Sequence, residues 1–299
     1  MSRIVRTEYS VSGNRPVVWC FSRDEKGKRV IMRDASLKPY FYVPTGSQPH
    51  DISIDLNGMW RTEKDCATSV DGRRLDMIET ILPEHVSALR ESFDKTYEAD
   101  VMFPSRYLID KVDSLERVEL RVLTIDIETD TDGRNVPDPT RADQPINCVT
   151  VHDSYDDAFI TVAFRKDLKP SVKCRMYEGR LQEIHLFNNE LSMLNCLFGI
   201  MRELEPDVIT GWYVIRFDLT YLITRAMRIS GAEYWKMSPM NRVYLRDSRE
   251  NNVVIKGVAC VDLYDAYRQF TFSGRELHAR VHRTENSRKR KTWVRVRRA

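Results

Sequence analysis

Two acids separated by one residue, Asp126 and Glu128, close the apolar run RVLTIDIE. In an extended strand successive side chains alternate faces, so both carboxylates project together while Ile125 and Ile127 turn to the other side. Like charges held close resist ionisation unless something positive compensates them, and an oxygen-only cluster suits Mg²⁺ or Mn²⁺. Alone, a D-x-E pair reads more readily as a turn-capping aspartate beside a solvated glutamate, so by itself the motif is weak. Further along, PDVITGWYVIRFDLTYL gives a strand, a Gly-Trp corner, and Asp218 at the head of an apolar segment. A helix start favours an acid, so Asp218 taken by itself reads as an N-cap.

Acids so placed need a sheet and helices to hold them. RVLTIDIE, INCVTVHD and AFITVAF read as strands. Between Asn188 and Leu204, Leu191, Leu194, Leu197, Phe198, Met201 and Leu204 share one helical face, with Asn188 or Asn189 available as the N-cap and Pro206 as the stop. DVITGW then begins another strand, and strands followed by a helix and a further strand argue for a mixed α/β domain. Upstream, RPVVWCFSRD, KRVIMRD and KPYFYVP are short β-branched and aromatic runs broken by Gly, Pro and Asp, the pattern of a strand-rich meander. PEHVSALRESF starts at a proline and places Val86, Leu89 and Phe93 at helical spacing. The expected fold class is α+β: a β-rich domain over residues 1–117, a mixed-sheet domain with flanking helices over 118–279, and a basic tail over 280–299.

A chain of 299 residues suits about two domains. Its 42% hydrophobic and 30% charged residues exclude a disordered or fibrous protein. No apolar run approaches the ~20 residues of a membrane span, and MSRIVRTEYSVSG lacks the apolar core of a signal peptide. The default expectation is therefore a cytoplasmic protein without a membrane partner. The six cysteines are scattered and read as reduced, mostly buried thiols. The net charge of +3 hides an asymmetry: nine of the 47 Lys/Arg but one of the 44 Asp/Glu fall in 280–299, so the tail carries +8 and the remainder −5.

LTIDIET, followed by EPDVITGW and FDLTYL, resembles the first and second exonuclease motifs of family B DNA polymerases, whose proofreading domain is ribonuclease H-like. EADVMFPSRYLIDK is similar to the segment before the first motif, KPYFYVP to the family's N-terminal domain, and KGVACVDLYDAYRQ to the stretch after the second motif. The ordered similarity runs over residues 1–279, nearer to archaeal replicative enzymes than to other groups. It implies removal of a 3′-terminal nucleotide from single-stranded or primer-template DNA during replication. A two-ion Mg²⁺ or Mn²⁺ site would be held by Asp126, Glu128 and Asp218, the catalytic and metal-binding acids by motif position. Tyr213 and Phe217 fall beside the DNA. In archaeal relatives the N-terminal domain also carries a pocket for template uracil, whose lining would here include Tyr9, Pro39, Val86 and Phe103. Those four read equally as core.

Two departures qualify the resemblance. The family's third motif is a tyrosine four residues before an aspartate that completes the metal site, and none of the thirteen tyrosines has Asp at that spacing. Where the family usually has Asn after Gly-Trp or Gly-Tyr, this chain has Tyr213. Both point to impaired activity. The tail RVHRTENSRKRKTWVRVRRA reads as a DNA-binding arm through Arg288, Lys289, Arg290 and Lys291, as a charged terminus without fixed structure, or as the truncated or out-of-frame end of a longer gene. No palm motif is present, so polymerisation by this chain alone is not expected. The expected function is the N-terminal and 3′–5′ exonuclease portion of a DNA-directed DNA polymerase of family B. The alternatives are a catalytically inactive single-strand DNA-binding module, or one piece of a split enzyme whose second chain carries palm, fingers and thumb.

Overall fold

Residues 3–50, 60–130, 137–246 and 252–270 are described by the computed structural model. They divide into two units, one reaching to Val118 and the other beginning at Glu119.

The first unit is strand-rich. β1 (Ile4–Ser12), β2 (Arg15–Arg23) and β3 (Arg29–Asp34) form one antiparallel sheet. β4 (Tyr40–Pro44), β5 (Trp60–Thr68) and β6 (Arg74–Thr80) form a second, with β6 central. Helix α1 (Pro83–Arg90) starts at its proline and stops before Phe93, which is nevertheless buried with Phe41, Val43, Ile78 and Leu89. Helix α2 (Phe103–Lys111) contributes Phe103 to a separate cluster with Val18, Tyr40, Tyr42, Leu75 and Tyr97.

The second unit carries the D-x-E strand, β7 (Val122–Thr129), between β8 (Ile146–Asp153) and β12 (Val208–Gly211). Beyond β8 come β9 (Ala158–Phe164), β11 (Arg180–Phe187) and the edge strand β10 (Ser171–Tyr177); beyond β12 comes β15 (Ala259–Asp262). β8 runs antiparallel to β7 and β9, whereas β12 is parallel to both β7 and β15. An order of β9-β8-β7-β12-β15 with only β8 reversed is the ribonuclease H-like arrangement. The sheet is mixed, and the fold class is α+β.

Strand β7 shows the alternation that its sequence predicts: Leu123, Ile125 and Ile127 are buried, while Thr124, Asp126 and Glu128 are exposed. The buried face joins one core with helices α3 (Glu190–Leu204) and α4 (Asp218–Arg228). In α3 the Asn189 side chain caps the helix by accepting from the Ser192 N–H at 2.8 Å, and Glu205 ends it in a left-handed conformation just before Pro206. Met193, Leu194, Leu197, Phe198 and Met201 bury its inner face, at roughly 1.5–3 kcal/mol for each large side chain, far more than intrinsic helix propensity supplies. An antiparallel pair of strands, β13 (Val243–Arg246) and β14 (Asn252–Ile255), packs beside α4, and residues 263–270 are helical.

All six cysteines are free. Only Cys20 is fully buried and Cys174 is exposed, so the expectation of mostly buried thiols is corrected: Cys174 lies on β10, every residue of which faces solvent.

Candidate active site

Strand β7 delivers Asp126 and Glu128 at its C-terminal end, on the face turned away from the core. The β7–β8 register slips between Glu128 and Thr129, a bulge beside the second acid of the kind that re-aims a side chain. Neither carboxylate has a hydrogen-bond or ion-pair partner among the described residues.

Asp218 reaches the same end from a different element. It is the first residue of α4, where the helix dipole favours an anion, yet its side chain is 4% exposed. The Ile127 N–H donates to its Oδ1 at 3.1 Å, which ties the helix start to the strand between Asp126 and Glu128. Burial pushes the Asp218 carboxyl up to about 6; the Ile127 N–H opposes the shift, and the nearby charges of Asp126 and Asp262 add to it. No Lys or Arg pairs with any of the three acids among the described residues.

A Gly-Trp corner makes this approach of α4 to β7 feasible. A Cβ on Gly211 would lie 2.6 Å from the Ile125 carbonyl oxygen, so only glycine lets the end of β12 come this close to β7. The chain then turns through 212–217 into α4, with the Phe217 N–H donating to the Tyr213 carbonyl and Leu219 N–H to that of Val214. Asp262, at the end of β15 and 5% exposed, staples the corner. Its Oδ1 accepts from the Tyr213 N–H at 3.1 Å and the Tyr264 N–H at 3.0 Å, and its Oδ2 from the Ile215 N–H at 3.0 Å. With three backbone donors it acts as an organiser rather than a free ligand.

A family model described as the exonuclease domain of DNA polymerase family B matches residues 92–276. The chain belongs to that family. Among similar proteins, the DNA-directed DNA polymerase of Enterobacteria phage T4 is 29% identical over 181 residues, covering 53% of this chain and 20% of the relative. A DNA polymerase of Archaeoglobus fulgidus is 25% identical over 309 residues, covering 88% of this chain and 34% of its own length. The solved family B DNA polymerase from the archaeon Pyrobaculum calidifontis superposes with a TM-score of 0.63 at 24% identity, over 90% of this chain and 37% of that one, a likeness of fold. The chain thus spans between a fifth and a third of the length of these curated relatives.

Within the family B frame, the residues expected to act fall into three groups. Asp126, Glu128 and Asp218 come to one end of β7. Tyr213, at the family's Asn position, is exposed and has φ of +60°, a left-handed conformation that Asn adopts readily and that costs other L-residues about 1–2 kcal/mol. Phe217 is only partly exposed; it packs on the core, with its ring 5.7 Å from that of Tyr221. Arg288, Lys289, Arg290 and Lys291 lie outside the described residues. Of the uracil-pocket set, Tyr9 and Phe103 meet edge to face at 5.7 Å, and Pro39 is buried with its carbonyl accepting from the Thr80 N–H. Val86 packs in the other cluster of that unit, with Phe41 and Leu89, so the structure does not gather all four.

The donor chemistry fits a hard divalent cation: three carboxylates, oxygen only, without a compensating cation among the described residues. Among the described residues, however, no three of His, Cys, Asp and Glu are close enough to hold an ion as they stand. Sequence reasoning missed Asp262. Its only signal is an acid closing the short apolar strand ACVD, and what singles it out is the set of backbone N–H groups that folding aims at it. Among the described residues no helix is long and apolar enough to cross a membrane.

Proposed function

We propose that this chain is the N-terminal and 3′–5′ exonuclease portion of a replicative family B DNA polymerase, removing the 3′-terminal nucleotide of single-stranded or frayed primer-template DNA in the cytoplasm. The observation that carries the reading is the convergence of Asp126 and Asp218 without a compensating cation among the described residues: the buried carboxyl is pushed up to about 6 partly by its neighbour's charge. Structural acids are normally paired, so an uncompensated pair at a strand's end supports a cation-binding role.

In this reading Asp126, Glu128 and Asp218 hold Mg²⁺ or Mn²⁺. A divalent ion bound there would activate water and neutralise charge on the leaving 3′ oxygen. Asp218 is fixed by the Ile127 N–H, while Asp126 and Glu128 remain accessible to substrate. Palm, fingers and thumb, and with them polymerisation, belong to a further segment or a second chain. A template-uracil pocket around Tyr9 and Phe103 belongs to the same proposal at a separate place, as does capture of DNA phosphates by Arg288–Lys291.

A second reading is favoured by two observations. Tyr213 occupies a left-handed position where the family's Asn is expected to position substrate, and the fourth acid of the third motif has no counterpart in the sequence. Such a chain binds single-stranded DNA without cutting it. Trimming of a 3′-labelled single strand with Mg²⁺ or Mn²⁺, compared between this chain and Asp126→Ala, separates the two. Activity that vanishes with Asp126 supports the exonuclease; absent trimming with intact binding supports the module.

A further inference from the structure

On the corner that leads into Asp218 lies a surface that neither the acids nor the core uses. Trp212 and Tyr213 on the corner meet Tyr264 and Tyr267 of the helical segment 263–270 in one connected group of rings. Trp212 is 5.6 Å from Tyr264 and 5.7 Å from Tyr267, and Tyr213 is 5.2 Å from Tyr264. Trp212, Tyr213 and Tyr267 are 58, 42 and 54% exposed, although aromatic residues of this size usually bury most of their area.

Two guanidiniums border the rings. Arg216 lies 5.6 Å from the Tyr213 centroid and 6.0 Å from that of Tyr264, and Arg268 lies 5.7 Å from Tyr264 on the segment's own helix. Arg216 also pairs with Asp265 at 2.7 Å, so part of its charge is spent locally, whereas Arg268 has no ion pair among the described residues. Asp262 locks both halves together by accepting from the backbone of Tyr213 and of Tyr264. The rings are therefore preorganised, and little ordering entropy remains to be lost on binding.

We propose that this four-ring platform binds single-stranded DNA by stacking on its unpaired bases, with Arg216 and Arg268 meeting its phosphates. Every base has a π-face, so such binding is tolerant of sequence, and arginine adds cation–π attraction at the rim. The turn that carries Trp212 and Tyr213 runs directly into Asp218, which places a stacked strand next to the acids. Here Tyr213 replaces a hydrogen-bonding contact with a stacking one. The inference rests on the exonuclease reading for its purpose, but not for its test.

Binding of short oligo(dT) and of an abasic strand of equal length is measured by fluorescence anisotropy on the full chain, in chelator so that no cutting intervenes. The expected result is about ten-fold tighter binding of oligo(dT), a preference lost in Trp212→Ala/Tyr267→Ala and kept in Trp212→Phe/Tyr267→Phe, which retains the rings. Equal binding of both strands by the unaltered chain, or an unchanged preference in the alanine pair, overturns the platform. So does a self-associated chain in light scattering that becomes monomeric in the alanine pair, because the rings would then be covered by a second copy. Trimming without base preference leaves the exonuclease standing and the platform refuted; base preference without trimming does the reverse.

Discussion

The two ends of β7 hold buried carboxylates in opposite ways. At the entry, Asp153 of β8 is 1% exposed and receives Arg121 in a bidentate pair at 2.9 and 2.6 Å, while Asp207 accepts from the Arg121 N–H at 2.9 Å. Burial alone would push Asp153 up, but Arg121 overrides it and holds the carboxyl below the usual range. At the exit, Asp218 is almost as buried, has one backbone donor from β7, faces Asp126, and is pushed the other way, to about 6. The fold supplies a matched cation at one end of the strand, which makes that end structural; among the described residues it supplies none at the other, the end that the proposed function assigns to a metal ion.

The largest expected effect tests the structural end. Arg121→Met leaves Asp153 buried without its partner and should cost about 3–5 kcal/mol in urea unfolding. At the exit the sign reverses. Asp218→Asn removes an unfavourable charge and should stabilise the chain by about 2–3 kcal/mol at pH 7 in chelator, while abolishing any trimming. The titration sign agrees: with its folded value raised from 3.8 to about 6, Asp218 favours the native state below pH 4, and that contribution is lost as pH rises through 6. Unfolding in chelator at pH 4, 5, 6 and 7 should show this loss in the native chain and not in the Asn variant.

Smaller effects sharpen the contrast. Tyr213→Asn should gain roughly 1 kcal/mol in thermal unfolding, because Asn tolerates the left-handed backbone that Tyr is forced into. Glu128→Gln should change stability by less than about 0.5 kcal/mol, being exposed and without a partner among the described residues, yet eliminate trimming. A Glu128→Gln variant that unfolds easily would place Glu128 with Asp153, on the structural side.

Much of this was legible in the residues. The period-2 alternation of LTIDIET fixed which side of β7 faces the core, because a strand has only two faces. Asn189, Pro206 and the leucine face of α3 announced that helix through local hydrogen bonding and sterics. Strand β10 was missed because SVKCRMY is an exposed edge with no buried side to pattern, and α1 ended earlier than the spacing of Phe93 suggested, since a residue can be buried from a turn as well as from a helix. The uracil set divided between two clusters for a similar reason: motif position gives order along the chain, not proximity.

By itself, then, the sequence determined the family, the α+β class and the face on which Asp126 and Glu128 stand, all properties written in local periodicity and ordered motifs. Only the tertiary structure decided that Asp218 would be buried against Ile127, that Gly211 must lack a side chain, and that Asp262 would staple the corner that carries the rings. Those depend on desolvation and close approach between elements far apart in the chain, and the energy of a carboxylate is set by what folding brings around it.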